Sequence, residues 1–214
     1  METLKKLHHS LDALTDTFSI IEKKTSQYLT EFLNVTPKPL KSSYQEIFDI
    51  LLEEIQDKGD QWNEEELKMK FIAFLFFISE IEEKGKVQAF YERPLSAIIE
   101  GYKLSVKIDC MLATPLGKNT PREPYFFLQE FKKGKGDKFD PEAQMLAAMI
   151  LAEHYNQYNH PVYGAFIVGK NWVFTVLQDK KYCRSRQYDA SQKADLIQII
   201  FILRKLKEMI LSDN

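Results

Sequence analysis

The stretch PYFFLQEFKKGKG, Pro124–Gly136, decides how the fold of this chain is interpreted. Its consecutive apolar residues, Tyr125–Leu128, are typical of a strand that is buried on both faces of a sheet. The strand then ends in charge, because Glu130 and Lys132 stand two positions apart and share one face. Since buried charges require partners, a buried strand that ends in an acid and a base indicates a site.

A second acid lies in the segment SVKIDCMLAT, residues 105–114. Alternation predicts one apolar face on this strand, formed by Val106, Ile108, Cys110 and Leu112. Asp109 then projects from the other face. If the two strands are neighbours, Asp109 and Glu130 approach each other, and two carboxylates repel unless a cation or a proton intervenes. Mg2+ is suited to this role because one or two carboxylates typically hold it.

A plainer interpretation of the same residues stays open. Glu130 can pair with Lys132 in its own strand, since short acid-x-lysine spacings are common in strands. Asp109 can equally pair with Lys107 or Lys103. In that case the charges are structural and no metal is required.

The order of elements around these strands predicts an α/β fold with a mixed central sheet flanked by helices. Helical segments come first, and β-rich runs begin at Lys86. An alanine-rich helix follows, with Asp140 as its cap and Pro141 at its first position. Two further strands and a closing helix complete the chain. Because the alanine-rich helix lies between strands, it can act as a crossover that makes part of the sheet parallel.

The N-terminal region, residues 1–62, is predicted to be a helical extension of an α/β domain at 63–214. Its first segment carries a heptad-like stripe, consisting of Leu4, Leu7, Leu11, Leu14, Phe18, Ile21, Thr25, Tyr28 and Phe32. This stripe indicates either a dimerising helix within residues 1–34 or an amphipathic helix packed on its own domain. A later helix, capped by Asn63, is expected to run to Gly85, and its middle, which is hydrophobic all round, is expected to be buried.

Composition limits the possible functions. The formal net charge of −2 gives no global attraction to nucleic acid or to an acidic membrane, so any phosphate contact needs a local basic patch. The two isolated cysteines, Cys110 and Cys183, indicate reduced thiols in a cytoplasmic protein. The longest apolar run, Phe71–Ile78, is too short to span a bilayer. No P-loop is present, which excludes a stand-alone translocating enzyme.

Asp109 followed by Glu130-x-Lys132 resembles the pattern of the PD-(D/E)XK nuclease superfamily, which has the restriction-endonuclease-like fold. The predicted order of elements over residues 63–169 is similar to the core of that family. Over residues 63–188 the likeness extends to the nuclease domain at the N-terminus of type I restriction enzyme R subunits and to its small stand-alone relatives. The chain departs from the pattern at Ile108, where the motif's name has proline, and at Val106, where relatives often have glycine.

The resemblance implies a role for each matching residue. Asp109 and Glu130 would bind Mg2+, for which Mn2+ can substitute, and Lys132 would position the attacking water. Glu66 would complete the metal sphere, with Glu64 and Glu65 as alternates, and Gln144 would contact the water or the scissile phosphate. Without such a role, Glu66 is simply an acid favoured at a helix N-terminus, and Gln144 is a solvent-facing residue near a cap.

Two basic segments are candidate contacts to nucleic acid. Lys133, Lys135 and Lys138 follow the proposed site in a glycine-containing loop. Further along, Tyr182, Arg184, Arg186 and Tyr188 are predicted to share one strand face as a basic and aromatic stripe. The alternative for that stripe is a charged edge strand that discourages aggregation.

These patterns lead to two functional hypotheses. The first is a Mg2+-dependent nuclease that hydrolyses phosphodiester bonds of nucleic acid, with DNA as the favoured interpretation and with a homodimer or specificity-giving protein partners. The second is a catalytically silent module that binds nucleic acid or protein on the same fold and assembles through the N-terminal helix. Neither hypothesis involves a membrane.

Overall fold

A computed structural model of the chain describes residues 10–117, 120, 121, 127–132, 140–158 and 160–212, and for 127–132 it describes the backbone. The strands of this part form one mixed sheet in the order β1-β7-β6-β5-β4-β3-β2. They are β1 (Ile21–Lys23), β2 (Gln88–Ile99), β3 (Tyr102–Ala113), β4 (Phe127–Lys132), β5 (Val162–Val168), β6 (Asn171–Gln178) and β7 (Lys181–Asp189). The helices are α1 (Leu11–Phe18), α2 (Gln27–Leu33), α3 (Ser42–Lys58), α4 (Glu64–Leu67), α5 (Ala73–Ser79), α6 (Pro141–Tyr155) and α7 (Lys193–Ser212).

Strand directions follow from the connections. β2, β3 and β4 pair antiparallel, whereas β4 and β5 pair parallel with α6 between them. The prediction of a mixed sheet flanked by helices, with the alanine-rich helix as crossover, is therefore confirmed. The restriction-endonuclease-like version of this architecture stays a prediction.

Hydrophobic cores lie on both faces of the sheet. The α7-side core joins α2, α3, α5 and α7 to one sheet face and contains Phe32, Phe48, Phe71, Trp172 and Leu203. The α6-side core joins α1 and α6 to the other face and contains Leu14, Phe18, Met145, Leu151 and Tyr182. Each of these helices has an apolar stripe that would be exposed in an isolated helix and is buried here in one of the two cores.

Helix α6 lies close to the sheet, as its alanines predict. Ala143, Ala147 and Ala152 are fully buried. The strand beneath is equally adapted, since a Cβ added at Gly164 of β5 would lie 2.7 Å from Met145 Sδ and 3.0 Å from Thr175 Oγ1. Asp140 caps the helix as predicted, with its side chain accepting a hydrogen bond from the Glu142 backbone N–H at 2.9 Å.

The expectation of one continuous N-terminal helix is wrong for residues 10–33. α1 ends at Ser19, which has a left-handed φ of 54°, and residues 21–23 then form β1 beside β7. The residues of the heptad stripe do not form one continuous helical face, because they pack in different hydrophobic cores. Leu14 and Phe18 pack in the α6-side core, whereas Phe32 packs in the α7-side core against Phe174, with ring centroids 5.8 Å apart. Dimerisation stays a prediction, and Leu4 and Leu7 lie outside the described residues.

The helix that follows Asn63 is also shorter and more exposed than expected. Its capping box is present, but α5 ends at Ser79 and Glu80 adopts a left-handed φ of 52°. Arg204 of α7 donates to the Ile78 carbonyl at 2.8 Å, which satisfies one of the last carbonyls of the helix before the predicted end at Gly85. The expected all-round burial of its middle is wrong, since Phe74 and Phe77 are 47% and 59% exposed.

Candidate functional site

Asp109 lies at a point where two paired strands change the faces that they bury. In β3, Ile108 packs in the α6-side core, whereas Cys110 packs in the α7-side core, so the predicted single face of Val106, Ile108, Cys110 and Leu112 is wrong. In β2, Phe90 and Leu95 both pack in the α6-side core, although they are five positions apart and regular alternation would place them on opposite faces.

The change of facing is centred on Glu92 in β2. Its φ of 56° lies in the left-handed region, which non-glycine residues rarely adopt. Because Tyr91 still pairs with Cys110 and Arg93 still pairs with Ile108, the strand register is the same on both sides of this residue. The distortion therefore places Glu92 and Asp109 at the same level of the hairpin without a shift in pairing.

Lys68 lies where the carboxylates of this region converge. Its Nζ lies 2.7 Å from Glu64 Oε1 and 3.1 Å from Asp109 Oδ1. Two further acids are nearby, with Glu92 Oε1 at 3.7 Å and Glu65 Oε1 at 3.9 Å. The side chains of Lys68 and Asp109 are 18% and 11% exposed, so this contact is largely removed from solvent.

Local helix structure determines the position of Lys68. Asn63 fixes the start of α4 through its capping box, and a π-helical turn, Lys68–Ile72, follows directly. Phe71 and Ile72 of that turn are buried in the α7-side core. Single π-turns within α-helices are frequent at functional sites, because the extra residue changes the direction of the side chains around it.

Lysine side chains balance the negative charges of the acids around Asp109. Burial lowers the pKa of Lys68, but its contacts with Glu64 and Asp109 outweigh burial and raise the pKa above its ordinary value. The ion pair with Lys107 lowers the pKa of Glu92 against its partial burial, and Lys68 and a contact with Asp109 contribute less. Two carboxyl groups in contact thus share cationic neighbours, as adjacent acids require. In the described part of the chain Asp109 pairs with Lys68 rather than with Lys103 or Lys107.

The backbone of β4 brings its acid and lysine to the neighbouring strand. Gln129 pairs with Cys110 in antiparallel register, and Glu130 and Lys132 pair with Phe166 and Val168 of β5 in parallel register. One further step of the β3–β4 register corresponds to Asp109 and Glu130. The side chains of Glu130 and Lys132 lie outside the described part, so their convergence with Asp109 stays a prediction.

The acidic turn of α4 divides its glutamates between two lysines. The Glu66 carboxylate accepts from the Asn63 backbone N–H at 3.1 Å and pairs with Lys70 at 2.7 Å. Its pKa is lowered first by Lys70 and then by Asn63. Glu64 and Asp109 both pair with Lys68. Among the three glutamates named from the sequence, Glu64 has the shortest contact with this lysine, at 2.7 Å.

Gln144 lies in the first turn of α6 and is partly buried. Its backbone N–H donates to the Asp140 carbonyl at 3.1 Å. Its side-chain oxygen is buried and accepts no hydrogen bond in the part of the chain that the structure describes. Because buried polar atoms normally have partners, this oxygen is available to a water or a ligand.

The basic candidates are less available than the sequence indicates. Arg184 pairs with Glu142 and Arg186 pairs with Asp195, at 2.5 and 2.7 Å. Tyr182 and Tyr188 are buried in different cores, so the predicted shared face is wrong and these rings are not available to stack on bases. The two guanidinium groups are about half exposed and still face solvent. Lys133, Lys135 and Lys138 lie outside the described residues.

Sequence reasoning missed Lys68 and Glu92. Lys68 follows Glu64 by four positions, a spacing that most often forms a solvent-exposed helical pair. Its burial depends on Asp109, which is 41 residues away in the sequence. In the sequence Glu92 is only an acid within a predicted strand. Its role in the site depends on its positive φ, which the sequence does not reveal.

The described residues also form a groove that is separate from this cluster. A groove of about 630 Å³ is lined by residues that include Lys38, Arg204 and Lys207, and Asp109 is not part of its lining. No group of three or more histidine, cysteine, aspartate or glutamate side chains within the described ranges could hold a metal ion. The helices described, likewise, include none long and apolar enough to cross a membrane.

The chain matches no protein-family model, and no curated protein matches it.

Proposed function

We propose that this protein is a Mg2+-dependent nuclease that hydrolyses phosphodiester bonds of nucleic acid on a restriction-endonuclease-like version of its α/β fold. One observation carries the proposal: the strand with Asp109 pairs with the strand that contains Glu130 and Lys132, and the acidic turn of α4 lies against Asp109. Oxygen ligands of this kind suit a hard cation such as Mg2+.

In this proposal Asp109 and Glu130 hold the metal, for which Mn2+ can substitute. Glu66 completes the site in the sequence-based hypothesis, and the shared contact with Lys68 supports Glu64 in its place. When bound, Mg2+ polarises a phosphate oxygen and lowers the pKa of a bound water. Lys132 would position the attacking water, and Gln144 would contact that water or the scissile phosphate. The buried side-chain oxygen of Gln144, which accepts no hydrogen bond in the described part of the chain, supports such a contact.

The substrate and setting belong to the same proposal. DNA is the favoured nucleic acid, and the protein acts in the cytoplasm, as a homodimer or with protein partners that supply specificity. Lys133, Lys135 and Lys138, together with the exposed guanidinium groups of Arg184 and Arg186, are the proposed phosphate contacts.

The test is cleavage of labelled single- and double-stranded DNA and RNA by the purified chain with Mg2+, with Mn2+ and with a chelator. Metal-dependent cleavage should disappear in Asp109→Asn and in Lys132→Ala. Lys103→Ala is the matched control, since this exposed lysine lies on β3 away from the cluster. Cleavage that persists in both site variants would contradict the assignment.

A pair of variants distinguishes the acids of α4. Glu64→Gln and Glu66→Gln alter the same helical turn, but of these two glutamates Glu64 contacts the lysine that pairs with Asp109, whereas Glu66 pairs with Lys70. If Glu64 completes the site, cleavage falls in Glu64→Gln and persists in Glu66→Gln. The reverse result would support the assignment made from the sequence resemblance.

The structure also favours a second candidate, a catalytically silent binding module on the same fold. Lys68 already compensates Asp109 and Glu64 without a metal, as a site that no longer performs chemistry would require. This candidate predicts metal-independent binding of nucleic acid or protein with no cleavage in Mg2+ or Mn2+. Cleavage that depends on Asp109 would exclude it.

A further inference from the structure

The ammonium group of Lys68 lies at the centre of the acids around Asp109. We propose that Lys68 is a built-in counter-cation that competes with a divalent metal ion for Asp109 and so determines the metal concentration at which the site fills. The inference rests on the proposed function in one respect only, namely that a metal binds at Asp109.

The hydrogen bonds of Lys68 show that the competition is direct. An ammonium group has three donors, and Lys68 uses two of them on Glu64 Oε1 and Asp109 Oδ1, at 2.7 and 3.1 Å. The hydrogen bond draws negative charge from this Asp109 oxygen, and the ammonium charge repels a cation bound beside it. Lys68 therefore opposes a metal ion at Asp109 through both the bond and the charge.

Charge gives the cluster room for a further cation. Glu64, Glu65, Glu92 and Asp109 are acids, and Lys68 and Lys107 are the lysines that pair with them. These six side chains carry four negative and two positive formal charges. The acids attract a divalent ion, and each lysine near it opposes its binding.

The placement of Lys68 is a property of the fold rather than of a mobile surface chain. It begins the π-helical turn, between the capping box at Asn63 and the buried residues Phe71 and Ile72. Lys70, two residues later, offers a direct comparison. It forms an i,i+4 pair of the same 2.7 Å length, with Glu66, but its side chain is 51% exposed.

The effect of removing Lys68 has a definite sign. A unit positive charge a few ångströms from a divalent ion is repulsive, and partial burial keeps that repulsion strong. Lys68→Met deletes the charge while keeping a side chain of similar length. Metal affinity should therefore rise at least about tenfold, whereas a purely structural role would leave it unchanged or reduce it.

The experiment is a calorimetric titration of the metal-free full chain with Mn2+, without nucleic acid. We expect Lys68→Met to bind Mn2+ at least about tenfold more tightly than the wild type, and Lys70→Met to stay within about twofold of it, because only the first charge faces Asp109. Lys68→Arg keeps the charge and should bind as the wild type does. Lys68→Met combined with Asp109→Asn should lose the gain.

Several results would overturn the inference. They are unchanged or weaker Mn2+ binding by Lys68→Met, an equal gain in Lys70→Met, a gain that survives Asp109→Asn, and no binding by any of these proteins. Circular dichroism of each variant in chelator establishes that the folded chain is compared, and Lys68→Gln provides a second neutral side chain if Lys68→Met fails to fold.

The outcome separates this inference from the proposed function. If Mn2+ affinity depends on Lys68 and Asp109 but no nucleic acid is cleaved, the nuclease proposal fails and the inference stands. If cleavage depends on Asp109 but Lys68→Met leaves Mn2+ affinity unchanged, the inference fails and the nuclease proposal stands.

Discussion

The contact between Lys68 and Asp109 should be measurable as a coupling energy in the metal-free protein. The proposed perturbation is a double-mutant cycle of Lys68→Met, Asp109→Asn and the combined variant. At 3.1 Å and an effective dielectric constant of about 20, the attraction between two unit charges is about 5 kcal/mol. Desolvation of these largely buried groups offsets much of it, so we expect a net coupling of about 1–3 kcal/mol.

The assay is urea denaturation of the four proteins at pH 7 in chelator, followed by tryptophan fluorescence. A parallel cycle with Lys70→Met and Glu66→Gln provides the reference, because that pair has a shorter distance but far greater exposure. Its coupling should be much smaller and should fall in 1 M salt, because solvent and ions screen exposed charges, whereas the Lys68–Asp109 coupling should largely persist. A Lys68–Asp109 coupling no larger than that of the exposed pair would refute the claim that the cluster is removed from solvent.

Further predictions concern the two cores and their buried acids. Arg184→Ala leaves Glu142 buried without its ion-pair partner and should destabilise the fold by about 1–3 kcal/mol in thermal or urea unfolding; an effect near zero would free Arg184 for a role in phosphate binding alone. Leu14→Ala should cost about 2–5 kcal/mol because this side chain is fully buried against α6, and light scattering should show an unchanged oligomeric mass. Burial raises the pKa of Glu153 against the hydrogen bonds that it accepts, so its charged form opposes folding at pH 7. As the pH is lowered from 7 towards the ordinary pKa of a glutamate, the unfolding free energy of the wild type should therefore rise relative to that of Glu153→Gln, and a difference independent of pH would contradict this assignment.

The elements that the sequence predicts best are those with local signals. Asn63 and Asp140 start helices in both the prediction and the structure, because a cap depends on residues two or three positions away. The crossover role of α6 follows from its alanines and from its place between strands. The adjacency of β3 and β4 was only a condition of the sequence argument, and the structure meets it, since their antiparallel pairing brings the backbone of the Glu130 strand beside that of Asp109.

The features that the sequence does not predict depend on distant contacts. The heptad spacing before residue 33 counts turns of a helix, but it does not say that Phe18 and Phe32 pack on opposite faces of the sheet. Simple alternation in β3 fails at Asp109, because Glu92 in the paired strand has a left-handed backbone. Lys68 resembles any other i,i+4 partner of a glutamate until β3 is placed against it.

The change of facing at Glu92 and Asp109 has a consequence for how this hairpin tolerates insertions and deletions. Beyond the distortion, β2 and β3 continue as a ribbon to the turn at Glu100 and Gly101, and its buried residues pack in the α6-side core. Removing one opposed pair of residues near that turn would shorten the ribbon without altering the register at Asp109. A single deletion between Cys110 and Ala113 would instead shift Asp109 relative to both Lys68 and β4. The hairpin therefore combines a segment whose length is free to vary with a segment whose length is constrained by the site.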